Sequence, residues 1–185
     1  MSSNSQAQSW IASVPDPAKD QVRVQLSDAR LVTIRPILPS DLDALRTFFA
    51  ALSRATLRFR FHSSINELPE HLLRGFMVGH LAHSAFVAEI HNGPVEQPLL
   101  VAEARFIRKA DSDSAEFALV VADNWRRIGL GTTLTRILAQ RARFSGVRRL
   151  WGDILEDNKA MRGLAHSLGA RLSRGMGCVR LSLQL

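Results

Sequence analysis

Tyrosine is absent from this chain of 185 residues, so no phenolic proton donor is available to any chemistry it performs. Cysteine occurs once, at Cys178. That excludes an intrachain disulfide and a multi-cysteine zinc site, and it suits a reducing, cytoplasmic compartment. No stretch approaches eighteen uncharged apolar residues, so no segment reads as a bilayer span and no membrane partner is expected. Residues Met1 to Pro17 lack the basic start and apolar core of a signal peptide, so secretion is not expected. Lysine is scarce, with Lys19, Lys109 and Lys159 alone, and no block of five like charges occurs. Aromatic residues do not interleave with the arginines, so a dedicated nucleic-acid binder is not expected. His80, His83 and His91 have no third ligand at metal-binding spacing, so no metal is expected. No internal repeat and no low-complexity tract is found.

What is present suits one folded domain. Hydrophobic residues make up 46%, enough to build a core. Lys plus Arg total 24 against 17 Asp plus Glu, and the net charge of +7 favours anionic partners such as phosphates. Residues 1–28 are rich in Ser, Gln, Ala, Asp and Pro and read as a loosely structured extension, with Trp10 and Ile11 as its anchors. The folded part, residues 29–185, begins with the strand Leu31–Pro36. Ser40 then reads as a helix N-cap with Asp43 at its N3 position, and Leu42, Leu45, Phe49 and Leu52 recur at helical spacing. A basic-aromatic segment, Leu57–Phe61, precedes a second helix over Leu68–Met77. Strands follow at Ser84–Ile90, Leu99–Ile107 and Glu116–Ala122. A helix runs from Leu130 to Gly146, a strand spans Arg149–Leu155, and a helix spans Lys159–Leu168. The alternation Val179, Leu181, Leu183, Leu185 marks a last, half-buried strand. This order predicts a mixed α/β domain with one strand–helix–strand crossover over Glu116–Leu155.

The sharpest local feature is the passage from Val120 to Thr132. A buried strand enters a turn carrying Gly129 and Gly131 and then opens a helix. Helix-start N–H groups have no intrahelical partner and carry positive potential, and glycine lets a ligand approach the backbone. With Arg126 and Arg127 adding full charge, the segment suits a pyrophosphate. An ordinary flexible loop would carry the same glycines. It is neither a Walker loop nor a dinucleotide fingerprint, since no Gly-Lys-Ser/Thr follows and a third glycine is missing.

Arg126-x-x-Gly129-x-Gly131 resembles the Arg/Gln-x-x-Gly-x-Gly/Ala motif of the GNAT superfamily of N-acetyltransferases. Asn158, followed by Met161, Leu164 and Leu168-Gly169, resembles that family's Asn-centred strand-to-helix segment, and the order of elements fits from Leu31 to Leu185. Ala115-Glu116-Phe117-Ala118-Leu119-Val120-Val121, Ser53 through Phe61, and Asn158-x-x-Met161-x-x-Leu164-Ala165 resemble the acetyltransferase domain of the Pat type of bacterial protein lysine acetyltransferases.

The resemblance implies a single GNAT-like domain of the α+β type. Its central sheet would be mixed, mostly antiparallel and flanked by helices, with one parallel strand pair splayed apart. It implies acetyl-CoA as co-substrate, bound by the backbone of Leu119, Val120 and Val121, by Arg126, Arg127, Ile128, Gly129, Leu130, Gly131 and Thr132, and by Asn158. It implies direct acetyl transfer in a ternary complex to a primary amine, either a protein lysine or a small molecule. Glu116 matches the family's general base, and it also interrupts an otherwise apolar strand. A polar strand-end residue would fit the same place. Glu103, between Ala102 and Ala104, is the rival carboxylate. Many family members have a tyrosine seven residues after the asparagine to protonate the thiolate; here that position is Ala165. A thiol's reference pKa of about 8.5 makes thiolate a fair leaving group without it. A catalytically weak acyl-CoA sensor or interaction module on the same fold is the alternative, and the sequence leaves a homodimer open.

Overall fold

The computed structural model describes residues 21–63, 65, 68–75, 83–91, 98–175 and 177–185. In chain order the strands are β1 (Val22–Gln25), β2 (Leu31–Pro36), β3 (His83–Ile90), β4 (Leu99–Arg108), β5 (Ser114–Val121), β6 (Arg149–Ile154), β7 (Arg171–Arg174) and β8 (Val179–Gln184). The helices are α1 (Leu42–Ala50), α2 (Arg54–Phe61), α3 (Glu70–Gly75), α4 (Leu130–Phe144) and α5 (Lys159–Ser167). The strands form one sheet in the order β1-β2-β3-β4-β5-β6-β8-β7. Every neighbouring pair is antiparallel except β5 and β6, which are joined through α4 and run parallel. This is the mixed, mostly antiparallel α/β sheet expected from the sequence.

Strand alternation sends successive side chains to opposite faces, and the two faces carry separate cores. On one, Leu134, Leu138 and Ala142 of α4 pack on Ile34, Phe106 and Leu150 of the sheet. On the other, Leu45, Phe48 and Phe49 of α1 pack with Leu57 of α2, Leu73 of α3, Val87 of β3 and Val120 of β5. A register shift at Ala88/Glu89 inserts an extra residue in β4 opposite them. It lets Val101 and Ala102 both join the α4 side, while Glu103 and Arg105 fall under α2.

Several expectations need correction. Val22–Gln25 forms a paired edge strand, so residues 21–28 are not a loose extension. Their alternation is short, and it becomes meaningful only when Leu31–Pro36 lies beside it. Residues 1–20, with Trp10 and Ile11, lie outside the described residues, as do Phe76 and Met77 of the predicted second helix. The segment Leu57–Phe61 belongs to a helix capped by Ser53, whose hydroxyl accepts from the Thr56 N–H. The strand Arg171–Arg174 has no apolar alternation and pairs at the edge through β8.

Ser40 does not cap α1. Pro39–Asp41 is a 3₁₀ turn, and Asp41 takes the cap position, its Oδ2 accepting the Leu38 N–H at 2.7 Å. The reason is Arg35, whose guanidinium donates to both Asp41 oxygens at 2.7 and 2.8 Å and to Glu89 Oε2 at 2.6 and 2.9 Å. Asp41 is 7% exposed and Glu89 4%. Burial works against the Asp41 charge, yet Arg35 and the Leu38 N–H together hold its carboxyl below the usual carboxylate range. Its stabilising effect is therefore fully present above an unfolded aspartate pKa of about 3.9 and is lost as pH falls through the lower folded value. Arg35→Ala leaves two buried carboxylates without their cation, a change that costs about 3–5 kcal/mol. Urea denaturation should show that loss at pH 7, and the variant's stability should fall less steeply than the wild type's on acidification.

Candidate active site

A cleft of about 830 Å³ opens where β5 and β6 part. The two strands pair only at Ser114/Arg149, Ala115/Leu150 and Glu116/Trp151. Beyond that point β5 stays paired with β4 as far as Val121. The β6-facing edge of β5 beyond Phe117 is thus open backbone along the cleft, except that the Val121 carbonyl accepts from Arg126. Gly152 sits at the vertex because nothing larger fits: a Cβ there would lie 2.8 Å from the Phe117 carbonyl oxygen.

At one end of the cleft stands the loop before α4. Arg127 (φ 60°) and Gly129 (φ 92°) both adopt left-handed backbone, a conformation that can gather successive N–H groups into a concavity suited to an anion. The first helical bond is Thr133 N–H to the Gly129 carbonyl at 3.0 Å, so the N–H groups of Leu130, Gly131 and Thr132 have no helical acceptor. Gly129, Gly131, Thr132, Arg126 and Arg127 line the cleft. The side chains of Ile128 and Leu130 instead pack on the α4 core, so these two residues have only backbone to offer. Gly131 faces Leu119, Val121 and Leu164, which a Cβ would touch at 3.5–4.0 Å. Val120 points the other way, into the α1 core, and its main chain faces β4.

Arg126 has a structural task the sequence did not reveal. Its guanidinium donates to the Thr56 hydroxyl at 2.5 Å and the Val121 carbonyl at 3.2 Å, and pairs with Asp123 at 3.3 Å. Asp123 also accepts from the Ser53 N–H, the Ser53 hydroxyl and the Thr56 hydroxyl. Partial burial opposes its charge, but these donors and Arg126 hold its carboxyl below the usual range. The cluster fastens the start of α2 to the loop before α4. At the far side Arg58 donates to Asp157 at 2.8 Å, so α2 spans the open end of the wedge. Arg127 takes no part in the ion pairs among the described residues.

Asn158 is buried and caps α5, its Oδ1 accepting the Met161 N–H at 3.1 Å. It lines the cleft, with its amide protons left to donate. Ala165 is fully buried in the α4 core and does not line the cleft. A tyrosine there would have to displace that core.

Glu116 is exposed, lies at the last position where β5 pairs with β6 and lines the cleft. Its face of the sheet is the one covered by α2. Glu103 shares that face but has no accessible surface, and its oxygens accept from Arg105 Nε at 2.5 Å and Arg60 at 3.5 Å. Opposite, Asp153 is gripped by Arg180 at 2.7 and 2.8 Å, and chiefly for that reason its carboxyl sits below the usual range. His62, the left-handed C-cap of α2, completes this end of the cleft. Sequence reasoning missed Thr56, Asp123, His62 and Asp153. The Ser53-x-x-Thr56 capping spacing was a local signal for Thr56 alone. Among the described residues no group of His, Cys, Asp or Glu could hold a metal, and no helix is long and apolar enough to cross a membrane.

An open strand edge beside unpaired helix-start N–H groups is the pattern of a fold built to receive an extended ligand in a cleft. The model of the acetyltransferase (GNAT) family matches residues 54–170, and the chain belongs to that family. It is 34% identical over 146 residues to the acetyltransferase PA5475 of Pseudomonas aeruginosa, covering 78% of this chain and 77% of that protein. It is 32% identical over 151 residues to the acetyltransferase Pat of Mycolicibacterium smegmatis, covering 80% of this chain but 44% of that one. The crystal structure of the GNAT domain of S. lividans PAT superposes with a TM-score of 0.84 at 25% identity, covering 92% of this chain and all of that one. The resemblance read from the motifs thus holds, and the chain is an N-acetyltransferase of the GNAT family.

Proposed function

We propose that this acetyltransferase moves acetyl from acetyl-CoA directly to a primary amine, a protein lysine or a small-molecule amine, with Glu116 as general base. The observation that carries this reading is the position of Glu116, an accessible carboxylate at the vertex where β5 and β6 part. The cofactor's pyrophosphate lies on the N–H groups from Arg127 to Thr132, with Arg127 supplying charge. Its pantetheine arm pairs with the open edge at Leu119–Val121, and Asn158 donates to it from the opposite wall. The thioester then lies near the vertex, where the Leu119 N–H stabilises the oxyanion; the Val120 N–H, one step out of phase, is turned to β4 as the Ala122 N–H is.

The amine enters from the α2 side. An alkyl ammonium has a reference pKa of about 10.4 and must lose a proton before attack. Glu116 takes that proton, directly or through water. Nitrogen bonds to the acetyl carbon, the carbon–sulfur bond breaks, and CoA leaves as thiolate to be protonated by solvent, since no tyrosine is present. Binding of acetyl-CoA by calorimetry, combined with thiol release from a panel of amines and lysine peptides, tests the reading. Amine-dependent thiol release is expected. Binding without turnover on any amine would point instead to an acyl-CoA sensor, and no binding at all would overturn the cofactor assignment.

A further inference from the structure

The turn between β1 and β2 reaches across to the phosphate loop at two points. The Ser27 N–H donates to the Ile128 carbonyl at 3.3 Å. The Arg30 guanidinium donates to the Asn124 carbonyl at 3.2 Å and lies over the Trp125 ring, 3.9 Å from its centroid. The turn is itself firmly held. Leu26 is buried in the α4 core, its N–H bonds to the Arg30 carbonyl at 2.8 Å, and the Ala29 N–H bonds back to the Leu26 carbonyl at 3.0 Å. Asp28 fixes the Arg30 side chain, accepting from its Nε at 2.6 Å.

We infer that the Leu26–Arg30 turn is a positioning element for the cofactor's phosphates, acting through the peptide that joins Ile128 to Gly129. In a trans peptide the C=O and the following N–H point in opposite directions, and none of the described peptides is cis. With the Ile128 C=O drawn toward Ser27, the Gly129 N–H must point to the other side, and Gly129 lines the cleft. Loop residues held in left-handed backbone have other orientations open to them. The Ser27 bond selects the one in which the N–H meets an anion. Arg30 holds the preceding turn, Asn124–Trp125, so that the loop cannot swing as a body. This inference rests on the acetyl-CoA reading above.

Ser27 occupies the second position of the Leu26–Ala29 turn, and Asp28 after it is not left-handed. That turn geometry favours proline at the second position, so Ser27→Pro removes the N–H with little other change. Ser27→Ala keeps the N–H and is the control. We expect Ser27→Pro to weaken acetyl-CoA binding about tenfold, the effect of one misdirected hydrogen bond to a charged group, with Ser27→Ala near wild type. S-acetylpantetheine, which lacks the pyrophosphate, should be used by Ser27→Pro with unchanged kcat/KM. A merely structural role would impair both donors alike.

Unchanged acetyl-CoA affinity in a folded Ser27→Pro variant, or equal loss with both donors, overturns the inference. Should Ser27→Pro not fold, Arg30→Ala decides, with a raised KM for acetyl-CoA and an unchanged kcat expected, and an unchanged KM refuting. If the wild type itself binds no acetyl-CoA, the cofactor reading fails first, and that result is distinguishable from the others.

Discussion

Glu116→Gln should lower kcat by about a hundred- to ten-thousand-fold at pH 7, the contribution typical of a general base. The substitution keeps the size and hydrogen-bonding reach of the side chain but cannot accept a proton. Acetyl-CoA affinity should stay near normal, because the donor's proposed contacts lie on the phosphate loop and the open edge of β5. The loss should shrink as pH rises toward the amine pKa, where free amine becomes abundant. Steady-state rates with a genuine acceptor, taken from pH 6 to 10, measure both effects. Glu103→Gln should behave differently. Its carboxylate is buried and bonded to Arg105 and Arg60, so its removal should lower stability more than it lowers turnover per folded molecule. If Glu116→Gln leaves turnover intact, catalysis is positioning of an already neutral amine.

Gly131→Glu should abolish measurable acetyl-CoA binding. A side chain at this position starts against Leu119, Val121 and Leu164, on the wall where the pantetheine arm is proposed to lie. Its first carbon makes ordinary contacts at 3.5–4.0 Å, so the domain should fold. The carboxylate would then stand among the N–H groups proposed to hold the pyrophosphate, replacing an attraction with a repulsion. Gly129→Glu is the poorer test, since its φ of 92° strains any side chain regardless of ligand. Calorimetric titration together with a thermal melt separates lost binding from lost fold. Normal affinity in a folded Gly131→Glu variant would remove the phosphate loop from the mechanism.

Most of the fold was legible because its elements carry strong local patterns. Leu130, Leu134 and Leu138 recur on one helical face, and Val179, Leu181 and Leu183 alternate. Each needs only neighbours in sequence to be read. The two elements missed in the sheet, Val22–Gln25 and Arg171–Arg174, are edge strands. They are short and largely exposed, and their apolar content does not set them apart from loop. The cap of α1 was misplaced by one residue because Asp41 answers to Arg35, six positions away, and through it to Glu89, a further 54 positions along.

The sequence by itself determined that a buried strand leads into a two-glycine helix start with flanking arginines, and that Asn158 opens a later helix. Those are contiguous patterns, and their likeness to the GNAT motifs follows from the residues alone. Only the tertiary structure decided which carboxylate is accessible and what the arginines do. Glu103 and Glu116 look alike in sequence. β4 is covered by α2 and supplies Arg105 beside Glu103, whereas β5 loses its parallel neighbour just past Glu116. Arg126 and Arg127 are adjacent, yet one is fastened to Thr56 and Asp123 while the other stands beside the cleft. The contacts of Ser27 and Arg30 with the loop before α4 join residues about a hundred positions apart. Such contacts depend on how the chain returns to itself, and no local pattern records them.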